Sequence, residues 1–133
     1  MSQENVETVK QLTEAFHRRD IDAFAQLTTA DVEWEPVFAT QVEGAVYLGR
    51  AGIEAFLREL SETWDEFRPI PEDYRDLGSR VLGLGRLHAQ GRNSGAAVDA
   101  PWAGIFDFRG AEIFRIRTYL DHSEALKAVG LAE

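Results

Sequence analysis

Apolar residues spaced three and four positions apart predict three helices in the first half of the chain. The first stripe runs from Val6 to Phe16, with glutamate, lysine and glutamine between its apolar positions. A short second helix is expected after Asp20, because an aspartate there can cap a helix start. The clearest stripe runs from Ile53 to Trp64, and the charged residues between its members face away from it.

Apart from one early strand, the two-residue period and the β-branched and aromatic residues typical of strands come later in the chain. Pro69 and Pro71 remove two ladder donors, so the strand that holds them is expected to lie at a sheet edge or to carry a bulge. Gly83 and Gly85 lie inside a long strand and permit it to curve sharply. Strands are predicted at 32–38, 66–77, 79–91, 96–110 and 112–120, and a short helix is predicted at 123–130.

The order of these elements predicts an α+β fold. Short turns between the last strands imply an antiparallel meander, and the early helices are expected on one face of the sheet. A kinked sheet wrapped around helices leaves a concavity between the two layers. The length of 133 residues is that of a single domain, taken as residues 1–133, and the hydrophobic fraction of 44% suits a sizeable core.

Composition excludes several kinds of chemistry. The chain has no cysteine, so disulfides, thiolate nucleophiles and cysteine metal sites are absent. No histidine or aspartate spacing supports a metal site, and "GLGRLH" at 83–88 lacks the third glycine and the strand–helix context of a dinucleotide fingerprint. Neither a metal nor a cofactor is therefore expected.

The charge balance argues against polyanionic partners. Fourteen basic and 23 acidic residues give a net charge of −9, which repels phosphate backbones and anionic membranes. The best basic cluster, formed by Arg109, Arg115 and Arg117, is too small to outweigh that charge. The N-terminus has no signal-peptide pattern and no apolar run reaches 18 residues, so a cytoplasmic protein without nucleic-acid or membrane partners is expected.

A series of short motifs resembles the SnoaL-like branch of the nuclear-transport-factor-two-like, or ketosteroid-isomerase-like, superfamily. The motifs are "YLGRAGIEAFLREL" at 47–60, the Ser94–Gly95 hairpin, "FDFRG" at 106–110, the Tyr119-x-Asp121 pair and "EALKAVGL" at 124–131. Their order covers nearly the whole chain. The family's usual "RDG" turn before the last strand is replaced here by "RGAE", which changes only a surface turn.

The resemblance implies a cone-shaped α+β barrel, in which a strongly curved mixed or antiparallel sheet wraps around N-terminal helices and encloses a largely apolar pocket. Members of the family include isomerases, polyketide cyclases, epoxide hydrolases and dehydratases, and also proteins without catalysis. Most need no cofactor, and many form dimers through the outer face of the sheet. The resemblance thus implies an apolar or aromatic small molecule as partner, and a homodimer.

Asp121 has two interpretations. At the end of the last strand it could point into the cone, where apolar surroundings would raise the pKa of its carboxyl and make it a proton carrier. Alternatively, Asp121 and Glu124 fit a capping box that starts the terminal helix. Strand parity favours the second interpretation, because Asp121 shares parity with Arg115 and Arg117, unless a bulge resets it.

Four further residues could assist Asp121. Tyr119 or His88 would donate to an oxyanion that develops as Asp121 takes a proton. Arg86 shares a strand face with His88 and could help to polarise a carbonyl or epoxide oxygen, and His122 could titrate near neutral pH. The alternative is a solvent-facing polar face for Arg86 and His88, and a surface position for His122.

Five aromatic residues are candidate ligand contacts, although the same residues could be ordinary core: Trp34, Tyr47, Phe56, Trp64 and Trp102. Two functions remain open. One is cofactor-free acid–base catalysis of the isomerase, cyclase or hydrolase type, with Asp121 as base. The other is a non-catalytic ligand-binding or dimerisation module in which Asp121 is only a cap.

Overall fold

The computed structural model describes residues 2–36, 46–93 and 95–131. The helices of these segments are α1 (Ser2–His17), α2 (Ile21–Gln26), α3 (Gly49–Thr63) and α4 (His122–Ala128). The strands are β1 (Thr28–Glu35), β2 (Tyr47–Leu48), β3 (Trp64–Asp76), β4 (Arg80–Gly91), β5 (Ala97–Arg109) and β6 (Glu112–Tyr119).

These strands form one curved, unclosed sheet in the order β2-β1-β6-β5-β4-β3. The antiparallel meander predicted for the last four strands is confirmed. β1 then pairs with β6 in the parallel direction, with Trp34 opposite Ile116, so the sheet is mixed. The predicted α+β cone is confirmed.

The early strand differs from its prediction. The strand was predicted from residue 32, yet β1 already begins at Thr28, which is buried and pairs with Ile113. The last two residues of the predicted strand, 37 and 38, lie outside the described residues, as does Ser94 of the predicted hairpin. The short strand β2 was not predicted, since two residues carry no periodicity of their own.

The two faces of the sheet have different cores. The inner face packs against α1, α2 and α3 through large side chains such as Phe16, Phe56 and Phe106. The outer face carries a smaller cluster around Leu82 and Ile105, which α4 covers. The terminal helix therefore lies on the opposite side of the sheet from the three earlier helices.

Close strand approach explains why Gly85 has no side chain. A Cβ at this position would lie 2.0 Å from the carbonyl oxygen of Ile70 in β3. β3 runs along the sheet edge, as its prolines predicted, and shifts register between Pro71 and Asp73. This bulge brings the β3 backbone onto Gly85 and bends the edge of the sheet.

None of the helices in the described segments is long and apolar enough to cross a membrane.

Candidate functional site

A cavity lies between the helices and the inner face of the sheet. Its volume is about 30 Å³, room for about one or two water molecules. The described residues that line it include no titratable side chain. They are Leu12, Thr13, Phe16, Phe24, Trp34, Pro36, Phe56, Phe67, Pro69, Leu87, Trp102, Phe106, Ile116 and Thr118.

Aromatic stacking fixes one wall of this cavity. The ring of Trp34 stacks on Phe16 at 5.5 Å and on Phe24 at 5.4 Å between centroids. Phe56 of α3 closes the group, with its centroid 5.0 Å from that of Trp34. Helices α1, α2 and α3 each contribute one ring, so this wall depends on the whole helical layer.

Polar groups hold the opposite wall, where α1 meets the edge strand β3. His17 donates from Nε2 to the carbonyl of Pro69 at 2.7 Å, and Arg19 donates from Nη2 to the carbonyl of Phe67 at 3.1 Å. Burial lowers the pKa of the Arg19 guanidinium. Both acceptors belong to residues that line the cavity, so these two bonds set the distance between helix and strand.

Asp121 does not lie in the cavity. Its side chain is exposed and accepts a hydrogen bond from the backbone N–H of Ser123 at 2.8 Å, which makes it the N-cap of α4. The pKa of its carboxyl is lowered, chiefly by the Ser123 backbone N–H. The prediction of an inward acid with a raised pKa is therefore wrong, and the N-cap role of Asp121 is confirmed, with Ser123 instead of Glu124 as the donor of the 2.8 Å bond.

A bulge in β6 explains the direction of this strand end. Asp107 pairs with Arg115 while Phe108 pairs with Ile113, so Phe114 is an extra residue. The bulge lets Ile113 and Ile116 both face the core. Beyond it the strand alternates regularly, so Asp121 keeps the outward parity of Arg117.

The proposed partners of Asp121 also lie on the outer face. Tyr119 packs against the small cluster beneath α4. Arg86 donates to Asp99 at 2.9 Å from Nη2, and His88 lies 3.8 Å from the same carboxylate oxygen. None of the three lines the cavity, so the inward Asp–Tyr–His arrangement is not formed by the described residues.

His122 has a structural contact of its own. Its Nε2 lies 3.0 Å from the carbonyl oxygens of both Gly85 and Trp102, so Nε2 carries a proton and donates to them. The ring thus ties the start of α4 to β4 and β5. An open groove on the outer face, lined by Arg86, Asp121 and His122 among others, is shallow and solvent-facing.

The aromatic candidates divide into two groups. Trp34, Phe56 and Trp102 line the cavity. Tyr47 and Trp64 pack against the same core without lining it, and the Tyr47 hydroxyl donates to Glu59 at 2.5 Å. The structure thus brings three of the five candidates together, and their part in binding stays a prediction.

Several lining residues on the helices and inner strands were not predicted from the sequence. Leu12, Thr13 and Phe16 belong to the first helical stripe, whose inner face was recognised only as core. Thr118 has the inward parity of Ile116, so parity was the signal that could have found it. Pro69 was recognised only as an edge-strand residue.

The outer face also contains a buried ion-pair cluster that was not predicted. Asp107 is 5% exposed, and Arg80 donates to it from Nε at 2.5 Å. Arg117 lies 3.5 Å away on the other carboxylate oxygen. The cluster joins β4, β5 and β6 beside the region that α4 covers.

Comparison with known proteins agrees with this architecture, which is that of a cone-shaped α+β barrel. The family model of the SnoaL-like domain matches residues 9–116. The chain belongs to the SnoaL-like domain family. No functionally curated protein matches the chain.

Solved structures share the fold over almost their full length. A nuclear-transport-factor-two-like protein of unknown function from Burkholderia pseudomallei is 23% identical, with 96% of this chain and 98% of that chain covered and a TM-score of 0.79. A ketosteroid-isomerase-like protein from Catenulispora acidiphila, in complex with trimethylamine, is 20% identical, with 94% and 93% covered and a TM-score of 0.75.

A third solved structure has a suggested activity. It is a protein from Xanthomonas campestris that has been proposed to be a polyketide cyclase. It is 25% identical to this chain, with 97% of this chain and 98% of that chain covered and a TM-score of 0.73. These likenesses establish the fold.

Proposed function

We propose that the chain binds a small, uncharged and largely apolar molecule in the cavity between its helices and the inner face of the sheet. The observation that carries this proposal is the apolar lining, in which the described residues include no titratable group. A charged ligand would lose its hydration there without a counter-charge from those residues. The Catenulispora neighbour, solved with trimethylamine, supports small-molecule binding by a protein of this fold.

Binding requires the cavity to enlarge. A cavity of about 30 Å³ is far below the roughly 300–1,000 Å³ of drug-sized sites. The junction of α1 with β3 is the place where this costs least, because β3 is an edge strand that pairs only with β4 among the described strands. The bonds that His17 and Arg19 make to β3 would have to lengthen as a ligand enters.

Acid–base catalysis by Asp121 has no part in this proposal. An exposed carboxylate with a lowered pKa is ionised at neutral pH and lies outside the cavity. The proposed function is thus the non-catalytic alternative. The homodimer stays a prediction drawn from the family resemblance, and light scattering on the purified protein would test it.

Blocking the cavity tests the proposal. Thr13→Ile adds a larger branched side chain at the cavity wall of α1, where the Thr13 hydroxyl donates only to the Val9 carbonyl of its own helix. Thermal-shift screening with neutral aromatic fragments should find binders of the wild type, since a fragment at 100 times its dissociation constant adds about 2.7 kcal/mol. Thr13→Ile should abolish these shifts.

Thr8→Ile provides a matched control on the same helix. The Thr8 hydroxyl makes the equivalent bond to the Glu4 carbonyl at 3.0 Å, and Thr8 does not line the cavity. This variant should keep the wild-type shifts. Equal shifts in Thr13→Ile, or a screen in which only charged fragments bind, would overturn the proposal.

A further inference from the structure

Trp34 is an exception in this apolar cavity. It is 7% exposed, and its indole Nε1 is buried without a hydrogen-bond partner among the described residues. Buried polar groups of folded proteins nearly always have a partner, because an unpaired buried donor has given up its bonds to water. The donor on the Trp34 ring therefore needs an explanation.

The ring cannot easily turn this donor towards water. Phe16, Phe24 and Phe56 surround it with centroids at 5.5, 5.4 and 5.0 Å. β1, which carries Trp34, lies between β2 and β6 in the sheet. The indole is held from the helical side by rings and from the sheet side by its own strand, so its N–H has a fixed position.

The two threonine hydroxyls of the lining already use their protons. Thr13 donates from Oγ1 to the Val9 carbonyl at 3.0 Å, and Thr118 donates from Oγ1 to the Glu35 carbonyl at 3.5 Å. Trp102, the second indole of the lining, is not one of the buried unpartnered nitrogens of the described residues. Among the described residues of the lining, Trp34 is thus the one whose side-chain donor is both buried and without a partner.

We infer that Trp34 determines the specificity of the cavity by donating its indole N–H to an acceptor oxygen of the ligand. This inference rests on the proposed function and names the ligand class: neutral aromatic or alicyclic molecules that carry a carbonyl oxygen. A hydrocarbon of the same shape leaves the N–H unpaired. A carboxylate would supply the acceptor but would bury its charge in an apolar lining.

Acetophenone and ethylbenzene are suitable probes, since both carry a two-carbon substituent on a phenyl ring and differ in having a carbonyl group or a methylene group next to the ring. NMR titration of the full chain gives both dissociation constants, and the assigned Trp34 indole N–H resonance reports on the bond directly. Acetophenone should move this resonance downfield, and ethylbenzene should not. The ratio of the acetophenone affinity to the ethylbenzene affinity should be about tenfold smaller in Trp34→Phe than in the wild type. This factor corresponds to the cost of leaving a buried polar group unpaired.

Trp102→Phe is the matched control, because it makes the same change in another lining indole and should leave that ratio at its wild-type value. If both probes bind and neither the ratio nor the Trp34 resonance responds to the carbonyl, the inference is wrong while the proposed function stands. If neither probe perturbs the methyl signals of Leu12 and Ile116, the proposed function fails, and the inference fails with it. If Trp34→Phe folds poorly, the Trp34 indole N–H resonance of the wild type still tests whether the indole donates to the carbonyl.

Discussion

The inner and outer faces of the sheet differ in both chemistry and packing. Inward side chains are mostly large and aromatic, and they surround a small cavity. Outward side chains include the charged pairs Arg86–Asp99 and Arg80–Asp107, beside a small apolar cluster under α4. Residues with the right chemistry for proton transfer therefore lie on the face that is less suited to enclose a substrate.

Residue type and strand parity together decide which side chains can form a site on this sheet. Asp121, Tyr119 and His88 are reasonable choices for acid–base chemistry when residue type alone is considered. Strand alternation places them outside, and the β6 bulge comes too early in the strand to reverse that. The cavity lining follows from parity, since Trp34, Trp102 and Ile116 occupy inward positions.

The largest effect is expected where the sheet bends. Gly85→Ala would place a Cβ 2.0 Å from the Ile70 carbonyl oxygen, so β3 must move away or the strand must distort. We expect a loss of about 3 kcal/mol or more in the free energy of unfolding. Urea denaturation followed by tryptophan fluorescence would measure it.

Gly83→Ala is the control for this variant. A Cβ at Gly83 meets Pro71 at 3.6 Å, an ordinary contact, so we expect a change below about 1 kcal/mol. Similar unfolding curves for the two variants would show that the close approach at Gly85 does not shape the sheet.

The buried charge cluster on the outer face should give the second largest effect. Asp107→Ala leaves the mostly buried Arg117 without its carboxylate, since the two side chains are 6% and 18% exposed. We expect a loss of about 3 kcal/mol in unfolding free energy. Thermal and chemical denaturation at moderate salt would measure it.

Asp99→Ala tests whether burial is the cause. Asp99 lies on the same strand and outward face, and its pair with Arg86 has side chains 60% and 42% exposed. Its loss should cost less than about 0.5 kcal/mol. If both alanine variants lose the same stability, burial does not separate the two ion pairs.

Asp121 should give the smallest effect, and its sign depends on pH. A carboxyl whose pKa is lowered on folding stabilises the folded state at pH values above its unfolded pKa. This stabilisation is lost as the pH falls through the pKa of the folded state. Asn caps helices about as well as Asp, so Asp121→Asn should match the wild type at neutral pH and become the more stable of the two in acid. Asp121→Ala should lower the melting temperature by a few degrees at neutral pH.

Melting temperatures of the three proteins between neutral and acidic pH would check this expectation. A wild type that gains stability over Asp121→Asn on acidification would mean that the carboxyl has a raised pKa. That result would restore the interpretation of Asp121 as an interior acid. It would contradict the assignment of the titratable candidates to the outer face of the sheet.

Sequence patterns predicted the fold well where the signals are local. The helical stripes, the edge position of β3 and the curvature at the paired glycines all depend on residues close together in sequence. The parallel β1–β6 pairing and the short β2 were not predicted, because they join segments far apart in the chain. Apolar and β-branched character alone does not say which strand is the neighbour.

The candidate site could be predicted only in part. Large aromatic residues on inward positions were identified, and Trp34 and Trp102 line the cavity. The unpaired indole N–H could not have been foreseen, since it depends on which groups surround the ring in three dimensions. Strand parity correctly favoured an outward direction for Asp121. The position of the β6 bulge, which could have reversed that direction, could not be predicted from the sequence.

The parallel pairing of β1 with β6 has a consequence for synthesis on the ribosome. β1 emerges before its long-range partner β6, and β2 to β5 are made between them, so the sheet that encloses the cavity cannot be completed until β6 has left the ribosome. In a nascent chain that ends before β6, Trp34 and the rings around it lack the strand that pairs with β1. Truncations that remove β6 should thus yield aggregation-prone chains instead of a smaller working domain.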